Sequence, residues 1–143
     1  MPERRMTNAA TLLLATALVT VCMLHFLWAV GVYWPATSQE DLARKATPDA
    51  AEIPRLLTAL VAALLAGAAY VALAANWDGL RFLPDWLYRM GIWGLVAVMA
   101  LRGLVEPFAS ASKGNGLYNR LNRRVYAPFC VVLALLGVVV AVG

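Results

Sequence analysis

Three ionisable residues lie within long apolar stretches of this sequence, where they could do chemistry: His25, Arg102 and Glu106. His25 is the only histidine, and it could accept a proton, contact a ligand or form a structural hydrogen bond with another helix. Arg102 and Glu106 stand four residues apart, so they can pair on one helix face. Arg102 could bind a carboxylate or an anionic headgroup. It could equally reach towards the headgroups, with Glu106 as its counter-ion. Ionisable groups inside a membrane are functional candidates, and both interpretations stay open.

Most familiar catalytic and metal-binding patterns have no counterpart in this sequence. The two cysteines, Cys22 and Cys130, are far apart, and with a single histidine they predict no metal site and no cofactor. There is no P-loop, no dinucleotide fingerprint and no Gly-x-Ser-x-Gly motif. The sequence therefore favours a non-enzymatic protein, although an enzyme is not excluded.

The composition indicates where these residues lie. Of the 143 residues, 62% are hydrophobic and only 14% are charged, whereas a soluble domain is about half apolar and a quarter charged. The excess is explained if lipid is the solvent. The net charge of +4 comes from basic residues between the apolar stretches, where headgroups would lie, so we expect no nucleic-acid partner.

Prolines and polar residues divide the chain into four apolar stretches, each long enough to cross a membrane as a helix. The first begins like a signal peptide, but its apolar run continues, so we expect a retained helix. Basic and apolar residues alternate at helical spacing just before the last stretch, which predicts a short amphipathic segment there. The predicted fold is an all-α, integral membrane four-helix antiparallel bundle, with that segment before the last helix. It forms a single transmembrane domain over residues 1–143, with spans at about 9–34, 54–75, 86–106 and 125–142.

The second stretch is rich in small residues. Ala59, Ala63 and Gly67 recur at four-residue spacing, which lets two helix backbones approach closely in lipid. We expect the partner to be another helix of the same chain, and a second protein remains the alternative.

Lysine and arginine counts predict the orientation. Four spans place both termini on one side, and the first and third loops carry more basic residues than the terminal side does. Cytoplasmic loops are enriched in Lys and Arg, so this count favours termini outside the cytoplasm. Arg4 and Arg5 alone would favour the opposite orientation.

Three short motifs resemble a known family. His25, Trp28 and Gly31 match a His-x-x-Trp-x-x-Gly pattern, and Leu101-Arg102-Gly103 matches a Leu-Arg-small signature. The run from Leu121 to Cys130 is similar to a closing Leu-Asp-basic-basic-aliphatic-Tyr-Ser-Pro-Leu-Cys motif, with Asn122 where the family usually has Asp. The family is a bacterial group of small four-span membrane proteins, the domain of unknown function family 3995. The resemblance implies a four-span protein of the bacterial inner membrane and draws attention to His25, Trp28, Arg102, Tyr126 and Pro128. It implies no activity.

The late ends of spans one and three and the start of span four lie at the same membrane face. We therefore expect a polar pocket there, covered by the first loop and the basic segment, with ligand-binding candidates His25, Trp28, Arg102, Glu106, Asn122 and Tyr126. The sequence favours a ligand-binding or accessory membrane subunit whose partners are the bilayer, a lipid or hydrophobic small molecule, or another membrane protein. The alternative is a small enzyme or transporter that acts on a lipophilic or anionic substrate through a pocket at His25 and Arg102.

Overall fold

The computed structural model describes residues 2–46, 54–105 and 116–142. Within these ranges the chain is helical and has no strand. The helices are α1 (Pro2–Ala29), α2 (Gln39–Ala46), α3 (Arg55–Asn76), α4 (Asp85–Ala100), α5 (Gly116–Leu121) and α6 (Ala127–Val142). A π-helical turn, π1 (Leu101–Val105), continues α4, and a second, π2 (Asn122–Tyr126), joins α5 to α6. A short 3-10 turn spans Asp78–Leu80.

Four helical segments are long and apolar enough to cross a membrane, which confirms the prediction of an all-α protein with four spans. They are Arg5–Ala29, Arg55–Asn76, Asp85–Val105 and Asn119–Val142. Backbone amides cannot bond water in lipid, so an apolar segment satisfies them internally by forming a helix. α1 packs against α3 and α6, and α4 packs against the same two helices.

The core between these helices is small. Leu14 and Leu18 of α1 are fully buried and pack with Leu65, Ile92 and Leu133. Many other large apolar side chains are exposed on the outside of the protein, such as Leu56 and Leu64 of α3. An apolar outer surface of this extent suits a hydrocarbon solvent rather than water.

The small residues of α3 do not all face inward. Ala62, Ala69 and Ala72 are buried, but the row of Ala59, Ala63 and Gly67 is exposed. A Cβ atom added at Gly67 would meet nothing within 4 Å. The expectation of packing within the chain is therefore wrong for this row, whereas Ala62, also a small residue of α3, is buried and contacts Cys22 of α1. The physical reason is that the buried face of α3 carries Thr58, Ala62 and Leu65. Thr58 and Ala62 each stand one position before a residue of the exposed row, so the row is turned away from the core.

The close helix contacts occur instead at two other glycines. A Cβ atom at Gly103 in π1 would lie 2.6 Å from Val131 Cγ2 and 2.9 Å from the carbonyl oxygen of Ala127. One at Gly137 in α6 would lie 2.7 Å from Val96 Cγ2. The absence of a side chain at these positions lets α6 approach α4 and π1 closely.

The first loop contains the surface helix that its capping sequence predicts. The Ser38 hydroxyl accepts a hydrogen bond of 3.1 Å from the backbone N–H of Asp41, and α2 follows directly. Asp41 Oδ2 accepts a hydrogen bond of 3.0 Å from Lys45 Nζ and one of 3.1 Å from the Thr37 amide. These two bonds, that of Lys45 first, hold the pKa of the Asp41 carboxyl below its usual value. Leu42 of α2 is buried.

The linker between α3 and α4 is held by a dense set of hydrogen bonds. The Tyr88 hydroxyl accepts the backbone N–H groups of Phe82 and Leu83 at 2.9 and 3.0 Å, and lies 2.8 Å from the Tyr70 hydroxyl. Tyr70 donates in turn to the Leu80 carbonyl at 2.7 Å. Arg81 donates to the last carbonyls of α3, on Ala74 and Ala75, at 2.9 Å each. At this end of the protein, the polar groups of the linker are satisfied by the chain itself.

Candidate functional site

The two π-helical turns lie at the opposite end of the protein. π1 carries Arg102 as its second residue, and π2 begins with Asn122 and ends with Tyr126. Gly103 of π1 approaches Ala127, the first residue of α6, which directly follows π2. A π-helical turn is rare and is frequent at functional sites. Two such turns at one end of the protein mark this end as the candidate site.

Arg102 lies at the centre of this region. Its side chain is partly buried, and its positive charge is close enough to act on His25, Tyr126 and Cys130. The charge of Arg102 therefore reaches residues of α1, π2 and α6. A common depth is predicted from the sequence for His25, Arg102 and Tyr126, and π1 packs against the start of the last span. Their binding role stays a prediction.

The His25 ring is held in one orientation. Its Nδ1 atom lies 2.8 Å from the Val21 carbonyl oxygen, one turn earlier in α1. Because a carbonyl can only accept, Nδ1 carries the proton, and in the neutral ring Nε2 is the acceptor. The sequence analysis considered a bond from His25 to another helix, whereas this bond lies within α1.

Trp28 supports the same ring. The rings of His25 and Trp28 lie 4.8 Å apart between centroids, inclined by 52°. The Trp28 indole N–H donates a hydrogen bond of 2.9 Å to the Trp34 carbonyl, beyond the end of the helix. Trp28 therefore both limits the movement of His25 and ties down the segment that follows α1. Its contacts favour a supporting role over direct binding.

Asn122 is the most unusual residue of the region. Its side chain is 1% exposed, and within the described part of the chain neither its Oδ1 nor its Nδ2 has a hydrogen-bond partner. Leaving a buried polar group unpaired costs about 1–3 kcal/mol in proteins. Tyr126, four residues further on, uses its hydroxyl to donate a hydrogen bond of 2.9 Å to the Lys45 carbonyl in α2. This hydrogen bond connects the first loop to the start of the last span.

His25, Arg102, Asn122 and Tyr126 are called the polar cluster below. Glu106, the remaining candidate from the sequence, lies outside the described residues. The basic segment continues into the last span without a break, since residues 116–142 are helical throughout, with π2 between α5 and α6. The extra residue of π2 cannot be recognised in the sequence, because its residue types, Asn-Arg-Arg-Val-Tyr, are also found in regular helices.

Two cavities open at the membrane faces of the protein. One, of about 290 Å³, is lined by Asn119, Arg120, Arg123 and Arg124 and is called the basic cavity below. The other, of about 260 Å³, lies near the linker between α3 and α4, with Arg81, Asp85, Tyr88 and Arg89 among its lining residues. Neither of these two cavities is lined by the described side chains of His25, Arg102 or Tyr126. The second cavity was not predicted from the sequence. The sequence feature that points to it is the four-residue spacing of Arg81 and Asp85.

The fold and the polar cluster together define a multi-pass membrane protein with an irregular, polar end. In a comparison with protein families, residues 18–137 match the family described as protein of unknown function (DUF3995). The chain belongs to this family, as its motifs suggested. No curated protein matches the chain, and no solved structure matches it.

Proposed function

We propose that this protein is a non-enzymatic membrane protein that binds the anionic polar end of an amphiphilic molecule at the polar cluster. The ligand's apolar part would lie along the exposed, lipid-facing side chains of the neighbouring helices. The proposal places the ligand at the end of the protein where α1, π1 and π2 converge.

The observation that carries the proposal is the unpaired amide of Asn122. This side chain is 1% exposed, yet it offers both an N–H donor and a carbonyl acceptor that no group of the described residues uses. An unpaired buried amide is expensive in lipid, where the surrounding medium offers no replacement partner. A ligand that exchanges hydrogen bonds with this amide would remove that penalty.

The neighbouring groups favour an anionic ligand. The charge of Arg102 acts on several side chains around it, and guanidinium groups bind carboxylates and phosphates through paired hydrogen bonds. His25 adds an acceptor at Nε2, since its Nδ1 proton is used by Val21. The cluster therefore suits a carboxylate or phosphate that also carries a hydrogen-bond donor.

A role as an accessory subunit is the second candidate. The row of Ala59, Ala63 and Gly67 is exposed on the outside of α3 rather than covered by another described helix. Rows of this kind associate closely with partner helices in lipid. A membrane protein bound there would make this chain one part of a larger assembly.

We place the protein in the bacterial inner membrane with its termini outside the cytoplasm. The support is the distribution of Lys and Arg, which are more frequent in the first and third loops than on the terminal side. The polar cluster would then face the cytoplasm. Labelling of single cysteines introduced in the first loop and near the N-terminus with a membrane-impermeant reagent tests this orientation. Labelling of the loop in intact cells would contradict it.

Native mass spectrometry after mild extraction tests the ligand proposal. We compare the wild type with Asn122→Leu, which removes the unpaired amide at similar side-chain volume. The matched control is Thr11→Val, because Thr11 also has a fully buried, unpaired hydroxyl but belongs to the core-facing side of α1. We expect the wild type and Thr11→Val to retain one bound amphiphile more than Asn122→Leu does. No bound amphiphile on the wild type, or equal retention by all three proteins, would overturn the proposal. A stoichiometric protein partner instead of a small molecule would support the accessory role.

A further inference from the structure

We infer that the basic cavity is a binding site for the phosphate group of an anionic lipid headgroup. The cavity is lined by Asn119, Arg120, Arg123 and Arg124, whereas Asn122 is buried and is not among these lining residues. The inference goes beyond the proposed ligand at the polar cluster and does not depend on it, because the two sites use different residues.

The spacing of the lining residues concentrates positive charge in a small volume. Arg120, Arg123 and Arg124 lie three and four residues apart, which places them on neighbouring positions of one helical turn. Like charges at this spacing repel and destabilise a helix on its own. A bound anion would convert this repulsion into attraction.

Among the described residues, no acidic side chain neutralises the cavity. The ion pairs within these residues are those of Lys45 with Asp41 and of Arg81 with Asp78 and Asp85. None of these pairs involves an arginine of the basic cavity, and its described lining residues include no acid. The cavity at the other end differs, because Asp85 lies among its lining residues. A net anionic ligand is therefore favoured at the basic cavity in particular.

Guanidinium groups match phosphate in both charge and shape. Each presents N–H donors in a planar fork that can bond two oxygens of a phosphate group at once. The Asn119 side chain contributes a further polar group to the lining. The volume of about 290 Å³ is at the lower end of the range for small-molecule sites, which is about 300–1,000 Å³. It suits a headgroup, and the acyl chains would remain in the bilayer.

The depth of the cavity selects a lipid as the source of the phosphate. The last span, Asn119–Val142, has 24 residues. At 1.5 Å per residue it is about 36 Å long, whereas the hydrocarbon core is about 30 Å thick. The difference of about 6 Å corresponds to roughly four residues. Asn119 and Arg120 begin this span, so the cavity lies where lipid phosphates lie. If the first and third loops face the cytoplasm, this is also the leaflet in which anionic lipid attracts basic segments.

The test measures lipid selectivity in nanodiscs. Wild-type protein is placed in phosphatidylcholine nanodiscs that contain a minor fraction of phosphatidylglycerol, and the lipids that remain bound are counted by native mass spectrometry. We expect a preference for phosphatidylglycerol that falls about fivefold for each arginine removed, in Arg120→Gln and Arg123→Gln. Both side chains are exposed, so the variants should fold, and circular dichroism checks this.

Three comparisons make the result specific. Arg55→Gln removes an exposed arginine at the start of α3, on the same membrane face, and should leave the preference unchanged. Arg123→Lys keeps the positive charge but loses the planar pair of guanidinium N–H donors, and should lower the preference for phosphatidylglycerol. Asn122→Leu should leave it unchanged, which separates this site from the polar cluster.

Three results would overturn the inference. One is an equal loss of preference in Arg55→Gln and Arg123→Gln, which would indicate general attraction to a charged surface. The second is saturation of the wild-type basic cavity by millimolar inorganic phosphate in pure phosphatidylcholine nanodiscs. This result would keep the phosphate chemistry but assign the site to a soluble anion. Absence of any preference in the wild type would overturn it as well.

Discussion

The Tyr126 hydroxyl in the last span donates a hydrogen bond of 2.9 Å to the backbone carbonyl of Lys45, which lies 81 positions earlier in the chain. This bond connects α2 to the entrance of the last span. It accounts for how a short helix in a polar loop keeps a fixed place above the polar cluster.

Removing this hydroxyl should loosen the first loop. Tyr126→Phe leaves the Lys45 carbonyl without its donor, and a hydrogen bond of this kind contributes about 0.5–1.5 kcal/mol. We expect a loss of that size in thermal unfolding, together with faster hydrogen exchange in α2. Tyr33→Phe is the control, because its bond to Gln39 is long, at 3.4 Å, and should matter less. Unchanged exchange in α2 would show that other contacts hold the loop.

The contact between π1 and the start of α6 should depend on the missing side chain of Gly103. Gly103→Ala places a Cβ atom 2.6 Å from Val131 Cγ2 and 2.9 Å from the Ala127 carbonyl. Overpacking of this kind costs about 1–3 kcal/mol. We expect a lower unfolding temperature in detergent and weaker binding at the polar cluster.

Gly94→Ala is the matched control for this substitution, because a Cβ atom there would meet nothing within 4 Å. Alanine is the better helix former by about 1 kcal/mol, so this variant should be as stable as the wild type or more stable. Equal destabilisation by Gly103→Ala and Gly94→Ala would mean that the close approach of π1 and α6 at Gly103 does not cause the loss of stability.

Asn122→Leu should raise stability even as it abolishes binding. In delipidated protein the substitution removes two unpaired polar atoms, and each such group costs about 1–3 kcal/mol. We expect a higher unfolding temperature than that of the wild type in the same detergent. Thr11→Val, which removes one unpaired hydroxyl, should give a smaller rise. A lower unfolding temperature for Asn122→Leu would show that the amide is paired in the folded protein.

The first loop should weaken in acid. Hydrogen bonds from Lys45 and Thr37 lower the pKa of Asp41 in the folded protein. The carboxylate therefore stabilises the fold above its unfolded pKa of about 3.9, and this contribution is lost as the pH falls through the lower folded value. We expect hydrogen exchange in α2, corrected for its intrinsic pH dependence, to accelerate in that range. Asp41→Asn should lack the transition, and a transition that persists in this variant belongs to another group.

Much of the architecture was predictable because lipid imposes a simple rule on apolar segments. Length and composition located the four spans, and Ser38 with Asp41 located the start of α2 through ordinary capping chemistry. The orientation of α3 was not predictable, because alanine occurs on every side of that helix. Burial of Thr58 and Ala62 rather than Ala59 is decided by the neighbouring helices.

The candidate site was predictable in part. Common depth suggested that His25, Arg102 and Tyr126 would lie at one end of the protein, and π1, which carries Arg102, packs against the start of the last span. The isolation of the Asn122 amide could not be foreseen, since it depends on the extra residue in π2 and on which atoms surround the side chain. Likewise, the role of Gly103 depends on the distance between two helices, which the sequence does not encode locally.

The hydrogen-bonded linker between α3 and α4 has a practical consequence for mapping this protein in cells. Its backbone amides at Phe82 and Leu83 are bonded to the Tyr88 hydroxyl, and its Arg81 side chain is bonded to the last turn of α3. An epitope or protease site inserted between these residues would break several bonds at once and disturb two spans. Tags that report on this side of the membrane therefore belong at the chain ends.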